Sequence, residues 1–462
     1  MDTVSQKIAD FVSETTEYLE QLDRLPLSTA MDLYDMLEAA SKSATANRKT
    51  IDPELRVEIC SRQDEVLERI IDFSPTFKVS ENHRICTPAV QSYRQWQNVE
   101  LMKDKGLVGY TLAKEVSAQS MMYFGTETQD YPYLSVLPGM EMLYNNSELG
   151  LADAYDHYLH ENYRNMDTMI LHGMYNETIG YLEAYSRLRP DGKVYCGLDM
   201  NSYWMGNINW NSEAVMKFAA QCDYIATSCR AMRDALNRNP DVPFSCHWFP
   251  NAFYNPAGSP TIAEPERKEN IILSVGRIGT QVKNNTELLI AFAKAAQSMP
   301  GWQLRFVGAV EPDFQALVRQ IFSLRPDLES RVVFTGQIAD KEELYKEYER
   351  AKIFALTSLS EGGTPNVYAE ALFHGCMFVT SSIDAADDVT NHGELGVKYQ
   401  SGSTDELASS LLEISHKAHR RGFADHISKA LAYGRKHYDW NRNAKKLAYM
   451  LYKDCLDSFQ GT

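Results

Sequence analysis

Apolar positions follow two regimes along the chain. Up to about residue 80 they recur three and four places apart; from residue 82 they gather into short runs separated by amphipathic stretches. The first regime predicts helices. In SQKIADFVSETTEYLEQL, residues Ile8, Phe11, Val12, Leu19 and Leu22 share one helical face. A second helix is expected over STAMDLYDMLEAA, after a Leu-Pro-Leu break, with Ser28 as its N-cap. A third starts at Asp52-Pro53, the acid as cap and the proline at the first helical position. No residue here carries recognisable chemistry. Residues 1–80 therefore read as a helical extension, a docking or dimerisation module through which the chain could oligomerise.

The second regime predicts strands alternating with helices. HRICTPAV, SMMYFGT, DTMILHG, GKVYCGLDM and CDYIATSC read as strands, and GLVGYTLAKEVSAQ as a glycine loop entering a helix. Such short apolar runs fit parallel strands covered on both faces. NAFYNPAGSPTIAEPERKEN, residues 251–270, is rich in proline, asparagine and charge and reads as a linker. A second series follows, with strands NIILSVGRI, WQLRFVGAV, RVVFTGQI, KIFALTSL and MFVTSS and helices such as NTELLIAFAKAAQSM and DFQALVRQIFSLR. The expectation is an α/β chain of two doubly wound domains facing each other across the linker. Domain interfaces are favoured places for a ligand cleft.

Composition narrows the function. At 462 residues the chain exceeds one ordinary core. Its 44% hydrophobic content is that of a folded protein, and no run reaches the ~18 apolar residues of a membrane span. The start, MDTVSQKIADF, lacks the basic-then-apolar pattern of a signal peptide. The eight cysteines are scattered without a CxxC pair, which suits reduced thiols and a cytoplasmic location better than disulfides or a zinc site. A net charge of −16 disfavours nucleic acid and anionic membrane surfaces as partners, yet leaves room for a local basic pocket. Most of the 26 tyrosines and 18 phenylalanines read as core, although some could line a sugar groove.

Candidate chemistry concentrates in the second series. VGRIGTQVKNNTELL places Arg277 and Lys283 in a loop at a strand's carboxyl end, where two cations suit a phosphate or diphosphate. SEGGTPNVYAEALFHGC follows another strand. Gly362, Gly363 and Thr364 leave backbone N–H groups open to a ligand, and Asn366 and Val367 stand where a helix should start, its positive end favouring phosphate. Glu361 can accept from sugar hydroxyls, and Glu370, inside the helix, from a vicinal diol such as ribose. Each of these charges taken singly is an ordinary solvated side chain. Their gathering at strand ends is what makes them a site.

These residues resemble those of the retaining, GT-B-fold glycosyltransferases of family 4. The likeness lies in SVGRIGTQVKNNTELLIAFA, RVVFTGQIADKEELYKEYERAKIFALTS and SEGGTPNVYAEALFHGCMFVTSS, with DAADDVTNHGELGVKYQSGSTDELASSLLEI after them. It covers roughly residues 270–450. In the diverged first half, HRICTPAV…KDKGLVGYTLAKEV is similar to the family's first strand, glycine loop and helix. DTMILHGMY is similar to the strand ending in its sugar-contacting histidine, here His172, and CDYIATSCRAMRDAL…SCHWFPNAF to its last strand–helix unit. Two departures stand out. The interval from Glu361 to Glu370 is one residue longer than usual, with Thr364 as the apparent insertion, and the first 80 residues have no counterpart in the family core.

The resemblance implies a GT-B fold of two Rossmann-like domains. Residues 81–258, completed by a C-terminal helix over 440–462, would form an acceptor domain, and residues 268–439 a donor domain. It implies sugar transfer with retention from a nucleotide diphosphate sugar, a UDP-linked hexose or N-acetylhexosamine, to a hydroxyl of a glycan, protein or small molecule. Arg277 and Lys283 would stabilise the departing diphosphate, so neither metal nor cofactor is expected. Glu361, Gly363 and His172 would orient the sugar, Glu370 would hold the ribose, Ile338 would lie near the base, and Gly109 would approach the diphosphate. A sugar-nucleotide epimerase of the same fold and a non-catalytic partner subunit remain alternative readings.

Overall fold

A computed structural model describes residues 3–89, 96–125, 130–144, 151–256, 258, 265–419 and 422–459. The chain divides into two units, Met1–Pro256 with Trp440–Thr462, and Ala257–Asp439.

The first unit opens with helices α1 (Thr3–Glu20), α2 (Leu27–Ala46) and α3 (Pro53–Ile71). Its strands are β1 (Pro75–Phe77), β2 (Arg84–Pro88), β3 (Gln119–Gly125), β4 (Met140–Tyr144), β5 (Thr168–His172), β6 (Lys193–Leu198), β7 (Tyr224–Thr227) and β8 (Cys246–Trp248). Seven of them form a sheet in the order β4-β3-β2-β5-β6-β7-β8, parallel throughout. Every residue of β5 and β7 is buried, as a sheet covered on both faces requires.

The second unit contains β9 (Glu269–Val275), β10 (Gln303–Val307), β11 (Val332–Gly336), β12 (Ala351–Leu356), β13 (Met377–Ser381) and β14 (Gly396–Tyr399). The order is β11-β10-β9-β12-β13-β14, again all parallel. Strand order reverses between β9 and β12 here, and between β2 and β5 in the first unit. Such reversals open a crevice at the strands' carboxyl ends. Ile272, Leu304, Phe306, Ile353 and Val379 of this sheet, with Leu288, Phe292 and Leu411 of covering helices, make one continuous core. Finally β15 (Leu456–Phe459) pairs antiparallel with β1. Among the described residues no helix is long and apolar enough to cross a membrane, and none of the eight cysteines forms a disulfide.

Several local expectations need correction. Asp52 does cap α3, accepting from the Glu54 N–H at 3.0 Å with Pro53 at the first turn. Ser28, however, lies inside α2, whose N-cap is Pro26. The helical extension packs within the first unit. Arg56 of α3 is buried and donates to the carbonyls of Asn239, Val242 and Phe244 at 2.9, 3.3 and 3.0 Å. Asp64 accepts from Arg233 at 2.8 Å, and its other oxygen lies 3.4 Å from His247 Nδ1. Arg56 Nε apart, these groups satisfy one another among the described residues, and removing one partner is costly.

The opening of the expected linker is also core. Ala252, Phe253 and Tyr254 are buried, and Phe253 accepts from the Trp440 N–H at 3.1 Å. Residues 257 and 259–264 of the expected linker lie outside the described residues. The sequence reading also passes over β1, β4, β8, β14 and β15. Each is short or interrupted by charge, so no apolar run announces it. The helix expected over 440–462 ends at Tyr452, and β15 follows it.

Candidate functional site

Three strands of the second unit end at or just before a glycine, and their ends are laced together. Gly276 donates to Val307 O and Gly308 to Gly336 O, both at 2.9 Å. Gly276, Gly308 and Gly336 have φ of 149°, 144° and 74°. A Cβ at Gly308 would fall 1.7 Å from the Gly276 carbonyl oxygen, so no side chain fits there.

The loop after β9 is held from both sides. Gly279 N–H donates to the buried Asn285 side chain at 2.8 Å, and Asn284 takes a left-handed φ of 46° to start the helix Asn285–Ala295. Thr357, just after β12, donates its hydroxyl to Lys283 O at 2.9 Å, and Leu359 N–H donates to Val282 O at 2.8 Å. These bonds bring two loops distant in sequence together across the reversal point. Their side chains then meet: Lys283 Nζ donates to Glu361 Oε1, both groups mostly shielded from solvent. Arg277 is exposed and makes no side-chain hydrogen bond or ion pair among the described residues.

The loop following Glu361 turns through Gly363, whose φ of 121° favours glycine, while Thr364 is buried. The helix Asn366–Phe373 starts after Pro365, leaving the Asn366 and Val367 N–H groups at its positive end. Gly362 is exposed between them and Glu361. Glu370, one turn in, is buried and already occupied. Its Oε1 accepts from Lys341 Nζ at 2.5 Å and its Oε2 from the Tyr348 hydroxyl at 2.7 Å. Burial and the adjacent Glu370 carboxylate hold the Tyr348 phenol well above its ordinary range, so it stays a donor. Lys341 opens the helix Lys341–Arg350 directly after the loop that carries Ile338, itself half-buried.

Lys341 and Tyr348 are contributors that sequence reasoning missed. DKEELYKEYER is a charged amphipathic helix, and nothing in its pattern separates Lys341 from Lys346, which pairs with Glu343 at the surface. Asn285 and Thr357 were missed too; the KNN that precedes a helical run was the one available signal.

His172 and Gly109 lie in the first unit. His172 ends β5 at that sheet's own reversal point, with Gly173 at a φ of 73° after it. The imidazole is buried, and its Nε2 has no hydrogen-bond partner among the described residues. Burial, assisted by Lys105 and opposed by Asp104, pushes its pKa down to about 4, so the ring is neutral near pH 7. The glycine loop expected over Gly106–Gly109 is instead helix, which runs from Asp104 to Glu115. Gly109 is buried against β2, and a Cβ there would lie 2.5 Å from Thr87 Oγ1. Close approach of helix to strand accounts for this glycine.

Residues 269–417 match the family model described as glycosyl transferases group 1. A search of the curated proteins gives no match. Solved structures of similar fold include Anabaena HepE in complex with UDP, at 17% identity and TM-score 0.59 over 80% of this chain and 100% of that one. Sucrose-phosphate synthase from Thermosynechococcus elongatus aligns at 15% identity and TM-score 0.59, over 80% and 98%. A glycosyltransferase from Rickettsia africae aligns at 14% and 0.58, over 82% and 98%. At these identities the likeness establishes the fold, which is GT-B, with two Rossmann-like domains.

Proposed function

We propose that the protein is a retaining, metal-independent glycosyltransferase that moves a hexose or N-acetylhexosamine from a UDP-sugar to an acceptor hydroxyl. The observation that carries this reading is the Lys283–Glu361 contact across the β9–β12 reversal, within the segment matching the glycosyltransferase model. The choice of UDP rests on similar folds in complex with UDP and UDP-glucose.

In this reading the diphosphate enters between the cations and the helix start. Arg277, unpaired and exposed, takes one phosphate, and Lys283 exchanges Glu361 for another. Glu361, released, accepts from a sugar hydroxyl. The backbone N–H groups from Gly363 to Val367 share the negative charge that grows as the anomeric C–O bond breaks. The acceptor hydroxyl bonds to the anomeric carbon on the face the diphosphate leaves, and its proton passes to the departing phosphate oxygen. No protein general base is assigned. Glu370, braced by Lys341 and Tyr348, offers its remaining acceptor capacity to the ribose, beside Ile338. His172, neutral and with a free ring nitrogen, orients the sugar.

The test is incubation with UDP-[14C]glucose and UDP-[14C]N-acetylglucosamine, with and without acceptors, together with calorimetric titration of UDP. The expected results are UDP binding, release of free sugar or glycoside, and retained anomeric configuration by NMR. Absence of UDP binding overturns the donor assignment. An epimerised donor without transfer overturns the reaction.

A further inference from the structure

The first unit carries an aromatic pair that nothing above uses. Tyr203 and Trp204 are 72% and 58% exposed, the two most exposed aromatic side chains among the described residues. Burying such rings is the ordinary outcome, since each hides 150–250 Å² of surface or roughly that. Their rings stand edge to face with centroids 5.5 Å apart.

The pair sits on a built platform. It lies on the short helix Ser202–Met205, which follows the carboxyl end of β6. Asn201 caps that helix, accepting from the Trp204 N–H at 3.1 Å. Asn207 donates its amide to Tyr203 O at 2.8 Å, and the buried Trp210 donates its indole N–H to Met205 O at 3.2 Å. The neighbouring strand β5 ends in His172, in register with Gly197 of β6. Gly173 N–H donates to Gly197 O at 2.7 Å, tying the two loops together. The aromatic pair and the buried histidine thus stand on one rim of the sheet.

Charge narrows the occupant. From Val194 to Met216 the chain has no lysine or arginine, and the flanking Lys217 is held by Glu213 at 2.8 Å. Lys49, which reaches Asn211 at 3.4 Å, is held by Asp241, so the strip supplies no cation of its own for a phosphate. The remaining chemistry is apolar ring faces bordered by the exposed amides of Asn207, Asn209 and Asn211. A pyranose matches it, with C–H groups on one face and hydroxyls around its edge.

We propose that Tyr203 and Trp204 form an acceptor subsite for a neutral saccharide, stacked on the rings at the rim that carries His172. This rests on the transferase reading for its role as acceptor, but the binding itself is readable without turnover.

Trp204 makes that readout specific. The other five tryptophans, Trp96, Trp210, Trp248, Trp302 and Trp440, are at most 7% exposed, so acrylamide quenching reports on Trp204. The experiment titrates methyl glycosides and trisaccharides of glucose, galactose, mannose and N-acetylglucosamine, at millimolar concentration, against acrylamide quenching of the full chain. Phosphatidylcholine vesicles form a separate arm. At least one saccharide should protect Trp204, and Y203A should weaken that protection about 5-fold or more. Circular dichroism and thermal melting check that the variant is folded. In a transfer assay with the protecting saccharide, W204A should raise KM and W204F should restore part of the loss. Protection by vesicles alone, protection by nothing, or equal protection in Y203A overturns the subsite. Protection without any sugar transfer keeps the subsite and instead overturns the transferase reading.

Discussion

Lys283 and Glu361 stand 78 residues apart in the chain and share a hydrogen-bonded ion pair at the point where strand order reverses. Neither is deeply buried, and backbone bonds hold both loops, so the pair is not needed to close the crevice. In the proposed mechanism it holds a cation against a carboxylate until a diphosphate competes for it. Lys283→Ala should therefore lower turnover by roughly 10²-fold, the scale of losing one stabiliser of a charged leaving group. Arg277→Ala should do the same. Both variants should melt near the parent temperature. Turnover near the parent value in both removes the diphosphate site.

Glu370 is expected to act on the nucleotide through a carboxylate already braced by Lys341 and Tyr348. Glu370→Gln should weaken UDP binding by ~1–2 kcal/mol and weaken 2′-deoxy-UDP less, because the deoxy ligand lacks one partner. Lys341→Met should weaken UDP as well, since it leaves a buried carboxylate without its cation. Calorimetric titration of both ligands checks this. Equal losses for the two ligands in Glu370→Gln exclude a ribose contact.

Activity in excess EDTA should match activity without it. The motivation is that Arg277, Lys283 and a helix start supply the positive charge that a divalent cation would otherwise bring. Full loss in EDTA, restored by Mn²⁺ or Mg²⁺, contradicts the proposal.

Stability should fall as pH drops below neutrality. His172, His374 and His426 are all buried, and burial lowers each from its ordinary 6.5 to about 4. Between those values the unfolded chain binds protons that the folded chain refuses, so the folded state loses stability as pH falls from about 6.5 to about 4. His374→Gln should flatten the dependence of the second unit's melting temperature on pH across that window. An unchanged slope rules out this histidine as a contributor.

Gly308→Ala should disrupt the second unit more than any exposed substitution. Its Cβ would collide with the Gly276 carbonyl, and its φ of 144° disfavours a side chain. The expected result is a melting transition lowered by several degrees and the loss of UDP binding, read by calorimetry. Retained UDP affinity means that the β9 and β10 ends do not shape the site.

The alternation of short apolar runs with amphipathic helices determined the central strands of the two parallel sheets by itself, because a strand buried on both faces must be continuously apolar; the short β4, β8 and β14 escaped it. The Asp52-Pro53 cap and the helix start at Asn366 were equally legible, since a cap is settled by a few adjacent residues. So was the placing of Arg277 and Lys283, and of Glu361 and Gly363, at strand ends, because each pair follows an apolar run. Tertiary structure alone decided which of these meet. Sheet order makes β9 and β12 neighbours, and that brings Lys283 to Glu361 rather than to any nearer acid. The same holds for Lys341 on Glu370, and for Arg56 on carbonyls more than 180 residues away. It also turned Gly109 from an expected loop glycine into a contact between helix and strand. Periodicity fixes an element and its inward face within a few turns of chain. Partners across a sheet depend on strand order, which no local pattern encodes.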